Sequence, residues 1–364
     1  MQIATSTKKA RVIAFYLPQF HPIPENDAWW GKGFTEWTNV ARTRPLFKGH
    51  EQPHLPADLG FYDLRVPETR LAQARMAFDH GVEGFCYWHY WFGGRRLLER
   101  PFNEVLSSRE PDFPFCLGWA NESWTGVWNN EPRRMLIEQT YPGEADDRAH
   151  FDYLLRAFSD ARYITVDGRP LLYIYKPLKL PDAKRRLERW REWAHQAGLK
   201  GLYVLGNNLL DFEDAASLGL DGGVISTLGL ITARNALVNK AKWLLWGASK
   251  KLDLGGPRTE RYEEAIRHFI PDLNKFGFDA YPCAYPNWDH TPRSGRKGLV
   301  LTHSTPELFE KHMGEAIASV ASRAPQQRLI FLKSWNEWAE GNYMEPDQRW
   351  GDAYLKALRN AVVE

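Results

Sequence analysis

Two glutamates three residues apart, Glu337 and Glu340, lie in the stretch SWNEWAEGNYMEPD, from Ser334 to Asp347. Cleaving a glycosidic bond needs one group to protonate the leaving oxygen and another to face the positive charge that develops on the sugar. Paired carboxyls do both when their surroundings push their pKa values apart. The spacing therefore marks Glu337 and Glu340 as the candidate catalytic pair. Trp335 and Trp338 are expected to form the apolar walls that raise one carboxyl, with Asn336 between them. Glu345 and Asp347 are assigned to rim or structural roles, and Gly341 to the turn by which the chain leaves the site.

Other chemistries lose support. The chain has no G-x-S-x-G elbow and no Walker loop, and GKGFTEW lacks the third glycine of a dinucleotide loop. It has no D-x-D triplet, which a metal-dependent sugar-nucleotide transferase generally needs, so neither a metal nor a cofactor is expected.

The pair must be positioned by something, and the chain supplies eight short apolar runs: VIAFYL at 12–17, VEGFCYW at 82–88, FCLGWA at 115–120, LLYIY at 171–175, LYVLG at 202–206, GGVIS at 222–226, DAYPCAY at 279–285 and LIFLKSW at 329–335. Amphipathic stretches such as PETRLAQARMAFDHG, LPDAKRRLERWREWAHQAG and TPELFEKHMGEAIASVASRA separate them. Strands alternating with helices predict an α/β fold, a single (β/α)8 TIM barrel over the whole chain with long loops over its C-terminal face. Such a barrel carries its site at the C-terminal ends of the strands. The expected substrate-binding residues are therefore Tyr16, Gln19 and His21; Trp88, His89 and Tyr90; Trp119, Asn121, Glu122 and Trp124; Lys176; Asn207; Trp288; and Trp335, Asn336 and Trp338. Amides, aromatics and carboxylates dominate, as in a polyol-binding cleft.

Composition agrees with a sugar ligand. Aromatic residues make up 14% of the 364, with 16 Trp, and indole faces suit the C–H faces of sugar rings. Forty-seven basic against 45 acidic residues give a net charge of +2 and no basic stripe, which argues against nucleic acid as a partner. Cys86, Cys116 and Cys283 have no paired or metal-ligand spacing and read as small buried hydrophobes in a reducing compartment. The opening MQIATSTKKARVIAFYL has no signal-peptide core, so residues 1–10 are expected to be flexible and the chain cytoplasmic. The long loop after the first run, HPIPENDAWWGKGFTEW onward, is expected to fold over the cleft. Residues 228–256 read as an insertion. Within it NKAKWLLWGASKKLDLGG offers two readings: a helix packed on the barrel, or contact of 240–251 with a membrane or lipid-linked glycan. The sequence fixes no oligomeric state.

Five segments in order, AFYLPQFHPIPENDAWWGKGFTEW, HLPADLGFYDLR, GFCYWHYWFGGRRLLERP, LGWANESWTGVW and SWNEWAEGNYMEPD, resemble the WbsX-like proteins, related to glycoside hydrolase family 99. The resemblance runs from about Arg11 to the last helix. It implies a (β/α)8 barrel and retaining glycoside cleavage in which the substrate's own 2-hydroxyl attacks the anomeric carbon. On this chain Glu337 would take the proton of that hydroxyl, and Glu340 would act as acid and then as base on water. The chain departs from family 99 at Ala339, where that family commonly has His. The resemblance thus implies a carbohydrate-active enzyme on bacterial surface polysaccharide or a related oligosaccharide. Its alternatives are a glycosyltransferase or transglycosylase in O-antigen or lipopolysaccharide synthesis, and a non-catalytic carbohydrate-binding barrel.

Overall fold

The computed structural model describes residues 8–126, 131–209, 212–228 and 256–364. All eight apolar runs form strands: β1 Arg11–Tyr16, β2 Val82–His89, β3 Phe115–Trp119, β4 Arg169–Ile174, β5 Tyr203–Asn207, β6 Gly222–Ile225, β7 Asp279–Ala284 and β8 Leu329–Leu332. Each pairs parallel with the next, and β8 returns to β1, closing an eight-stranded barrel. Closure leaves no edge strand, and burial on both faces explains why the runs are almost continuously apolar. At Gly222 an added Cβ would stand 2.2 Å from the Asp279 carbonyl oxygen, so glycine alone allows β6 and β7 to pair there.

The strand period decides what reaches the interior. Phe15 stacks on Trp88 at 4.9 Å and meets Tyr173 at 4.9 Å and Phe331 at 5.6 Å, an aromatic layer contributed by β1, β2, β4 and β8. Residues one position away point outward toward the helices. Those helices include α1 Glu36–Arg42, α2 Pro67–Asp79, α3 Arg100–Ser108, α4 Glu144–Phe158, α5 Ala183–Gln196, α6 Pro306–Val320 and α7 Ala353–Val362. The three expected amphipathic helices are α2, α5 and α6. All three cysteines are buried and free.

The loop after β1 does fold across the barrel mouth. It carries α1, and Trp37 Nε1 donates to the Tyr62 carbonyl at 2.8 Å, tying its two halves together. Regular pairing in β8 stops at Leu332, three residues before the expected end, because the backbone then alternates partners. Lys333 N donates to the Ala284 oxygen of β7 at 2.9 Å, and Trp335 N to the Phe15 oxygen of β1 at 2.7 Å. A hairpin follows, β9 Asn336–Glu337 with β10 Asn342–Tyr343. Among the described residues no helix is long and apolar enough to cross a membrane. The expected insertion and its Trp243 and Trp246 lie outside the described residues, apart from the end positions 228 and 256.

Asn336 fastens the hairpin to β1: its Oδ1 accepts from Leu17 N at 2.7 Å and its Nδ2 donates to Leu17 O at 3.0 Å. Asn336→Ala would leave both backbone groups of Leu17 buried without these partners. A destabilisation of about 1–3 kcal/mol is expected. The shift in the urea unfolding midpoint measures it, and a loss below about 0.5 kcal/mol, the level of an ordinary surface change, would show that the staple carries no stability.

Candidate active site

The hairpin brings both glutamates to the C-terminal mouth of the barrel. Glu337 closes β9, a 3-10 turn spans Trp338–Glu340, and Gly341 returns the chain at φ 62°. An added Cβ at Gly341 would lie 2.6 Å from Asp289 N, the amide that donates to the Glu340 carbonyl at 2.7 Å. The turn therefore requires glycine on two counts, sign of φ and space.

Arg293, buried in the helical turn Thr291–Ser294 after β7, organises the charges. Its Nη1 donates to Glu340 Oε1 at 2.5 Å and to Glu337 Oε2 at 3.4 Å, and its Nη2 lies 3.3 Å from Glu36 Oε1 of α1. Glu340 has further partners: Lys333 Nζ at 3.8 Å, His290 Nε2 at 3.8 Å and Asn342 Nδ2 at 3.3 Å. Burial raises Glu337 to about 8, with the charge of Glu340 adding to it and Arg293 and Lys333 opposing. Burial also pushes Glu340 up, but Arg293 and then Lys333 outweigh it and hold this carboxyl well below the usual range. Near neutral pH the pair thus shares one proton, on Glu337, and one negative charge, on Glu340. Legs of 2.5 and 3.4 Å on one nitrogen leave the bonded oxygens no more than about 6 Å apart, short of the roughly 6.5–9.5 Å that inverting pairs leave for water.

Above the pair opens a cleft of about 520 Å³. Of the expected residues, Gln19, Trp88, Tyr90, Glu122, Trp124, Glu337 and Glu340 line it together. Lys176 sits at its edge, with Nζ 3.7 Å from Glu122 Oε1 and 4.5 Å from the centre of the Tyr175 ring. Trp288 lies outside the lining but under Lys333 Nζ, 5.3 Å from the ring centre. Asn207 ends β5 opposite Val224 and is not part of the lining.

Eight expected binding residues are elsewhere. Tyr16, His89 and Trp119 alternate with Phe15, Trp88 and Gly118, so they face the helices. The Tyr16 hydroxyl donates to Gln73 Oε1 at 2.7 Å, His89 pairs with His150 at 2.8 Å between ring nitrogens, and Trp119 packs against His150 and Trp190. His21 turns into a separate pocket. Asn121 spans a loop, donating to the Lys176 oxygen at 2.9 Å and accepting from Lys176 N at 2.8 Å. Asn336 is the staple to Leu17. Trp335 is buried against Phe85 at 5.2 Å, and Trp338 stacks on Tyr343 at 3.8 Å. Neither tryptophan walls the pair; the apolar walls are Leu17, Trp88, Tyr90 and Tyr175. Ala339 is likewise buried away from the cleft.

Glu345 does not reach the rim. It is buried and accepts from Tyr62 Oη at 2.8 Å, Gln73 Nε2 at 2.6 Å and Trp338 Nε1 at 2.6 Å, and burial raises it to about 7. Asp347, also buried, accepts from the Tyr343 hydroxyl at 2.7 Å. Sequence reasoning missed Arg293, Lys333, Glu36, Trp30, Tyr175 and Lys179. Lys333 had a signal, a lysine inside the apolar run LIFLKSW. Nothing in TPRSGRKG distinguished Arg293 from a surface arginine.

Residues 12–358 match the family model described as Glycosyltransferase WbsX. Two curated relatives, each the "Uncharacterized protein WxcX" of a Xanthomonas campestris pv. campestris strain, are 40% identical over 362 residues. The matches cover 98% of this chain but 50% of each relative, so the chain spans about half the length of the curated relatives it matches. Among solved structures, a glycoside hydrolase-like protein superposes with a TM-score of 0.60 at 17% identity, covering 100% of this chain and 97% of the other. A GH99 endo-alpha-mannosidase from Bacteroides thetaiotaomicron gives 0.55 at 17%, covering 96% and 95%. At that identity the likeness establishes the fold, and it agrees with the closed barrel.

The split between the carboxyls is measurable. In a 13C NMR titration of the side-chain carboxyls, Glu337 should titrate near 8, while Glu340 stays ionised through the neutral range. Native Glu337 keeps a proton that the unfolded chain releases above about 4.5. The stability from this group is therefore complete below that pH and is lost as pH rises toward 8. Glu337→Gln should flatten this part of the pH–stability curve, and Glu340→Gln should lower the midpoint of Glu337. Midpoints of both glutamates between 4 and 5 would refute the split.

Proposed function

Because the chain belongs to the WbsX glycosyltransferase family, we propose that it is a carbohydrate-active enzyme that breaks a glycosidic bond of a bacterial surface polysaccharide or related oligosaccharide through Glu337 and Glu340. The observation that carries this reading is the buried pair on one guanidinium at the foot of an aromatic-walled cleft. A binding module has no use for two carboxyls so matched, whose separation costs several interactions with Arg293 and Lys333.

In the resting cleft Glu337 holds the transferable proton. It is the group we assign to protonate the departing glycosidic oxygen. Glu340, ionised, faces the positive charge developing at the sugar or accepts a proton from a hydroxyl beside it. This order reverses the roles that the family resemblance implies. The reason is Arg293, which bonds Glu340 at 2.5 Å and Glu337 at only 3.4 Å. The short separation of the pair supports retention of configuration.

Transfer is the second reading, favoured by the family's description. The same pair serves it, with a sugar hydroxyl in place of water as acceptor. Purified protein would be incubated with a panel of bacterial polysaccharides, and separately with sugar-nucleotide and lipid-linked donors, with products followed by NMR. Glu337→Gln and Glu340→Gln should each reduce turnover by about 10²–10⁴-fold while substrate binding by calorimetry persists. An aryl glycoside with a good leaving group needs little acid assistance, so it should restore much of the loss in Glu337→Gln but not in Glu340→Gln. The opposite pattern would return the roles to the order the resemblance implies. Full turnover in both variants would sink the assignment.

A further inference from the structure

A second pocket, about 360 Å³, lies beside the cleft. The loop after β1 serves both: Gln19 lines the cleft, and two residues later His21 lines the second pocket. The opposite wall is the chain that leads into α3, from Arg96 to Arg100.

Three observations there need explaining together. His21 is only 1% exposed, and neither ring nitrogen completes a hydrogen bond of good geometry. The Pro18 carbonyl is a backbone acceptor that the ring N–H faces. A buried imidazole nitrogen left without a partner is unfavourable unless something supplies one. Next, the nine-residue α3 opens at the pocket with no side-chain cap, and Pro101 occupies its first turn. Its N-terminal end presents the positive pole of the helix to the pocket. Finally, three arginines line the space, Arg65, Arg96 and Arg100. Arg96 has neutral partners, Asn103 Oδ1 at 3.0 Å and the face of Tyr153 at 4.1 Å. Arg100 and Arg65 hold Glu104 at 2.7 Å and Asp63 at 2.6 Å in exposed pairs, which bind weakly enough to exchange partners.

Two carboxylates also line the pocket. Glu25 is held by Arg95 at 2.8 Å, and Glu99 precedes α3. Three guanidinia and a helix N-terminus outweigh them.

We propose that this pocket binds a compact oxyanion of the phosphate type, with Arg96 and Arg100 as its charged fork, the start of α3 as backbone donor, and His21 as the buried side chain whose remaining ring nitrogen meets the anion's hydroxyl. Guanidinium pairs and helix N-termini are the two groups that match tetrahedral oxyanions best. The anion could come from free phosphate or from a phosphate substituent on a glycan lying across the adjacent cleft. Only the second source rests on the proposed function.

Calorimetry of the intact protein with inorganic phosphate, against chloride at matched ionic strength, tests the site without turnover. Saturable one-to-one binding is expected, weakened at least tenfold in Arg96→Gln and again in Arg100→Gln. Glu337→Gln should bind phosphate as the wild type does, so failure of the catalytic assignment would leave this result standing. Phosphate should also move the ring 15N resonances of His21. A hexose 6-phosphate binding at least tenfold tighter than phosphate identifies a glycan substituent; equal or weaker binding identifies the free anion. Absence of saturable phosphate binding in the wild type, or equal affinity in wild type, Arg96→Gln and Arg100→Gln, would overturn the proposal.

Discussion

One buried guanidinium sets the terms for the site. Arg293 faces three carboxylates from two separate segments: Glu36 of the loop across the mouth, and Glu337 and Glu340 of the hairpin after β8. Glu337 and Glu340, buried and close together, could not both stay ionised, because the desolvation of each charge exceeds what a shared partner returns. One of them must take up a proton, and the uneven distances select Glu337. Lys333 reinforces the choice by placing its ammonium on Glu340's other oxygen. The protonation pattern thus follows from where β7, β8 and the first loop deliver their side chains.

Around this centre the barrel divides the labour by strand period. Inward residues build the aromatic layer of Phe15, Trp88, Tyr173 and Phe331 under the cleft. Outward ones, Tyr16, His89 and Trp119, lock the strands to the helices. Beyond the strand ends a second group, Asn121, Asn336 and Glu345, spends its polar atoms on holding loops together. Much of what the sequence motifs contain is therefore scaffold for the turn that carries the two glutamates. The hydrogen bonds of Asn336 and the three donors on Glu345 fix the hairpin on both sides, so the glutamates can be held close in spite of their repulsion.

The barrel was legible because its eight parallel strands are buried on both faces and must read as apolar runs; all eight were found, with ends shifted by one or two residues at most except the end of β8, which moved by three. The candidate pair was legible because acidic residues directly after an apolar run stand out. The cleft lining was half legible. A residue at a strand end can point inward or outward, and one step of register separates Trp88 from His89; sequence position gives no sign of which way the strand is turned. Arg293 was invisible for a different reason. Its role is conferred by Glu36, Glu337 and Glu340, which lie 257, 44 and 47 residues away, and no local pattern records such a meeting.

Two carboxyls near the site are raised by burial, Glu337 to about 8 and Glu345 to about 7, yet they differ in what they can do. Glu345 is enclosed by Tyr62, Gln73 and Trp338, which donate to its oxygens and occupy the directions from which a substrate could approach. Glu337 forms part of the cleft wall. A raised pKa alone thus fails to identify a catalytic acid: the proton must also have somewhere to go. Within this turn only Glu337 combines the two conditions, and the ionised Glu340 beside it supplies the third, a negative charge held in place by Arg293 and Lys333.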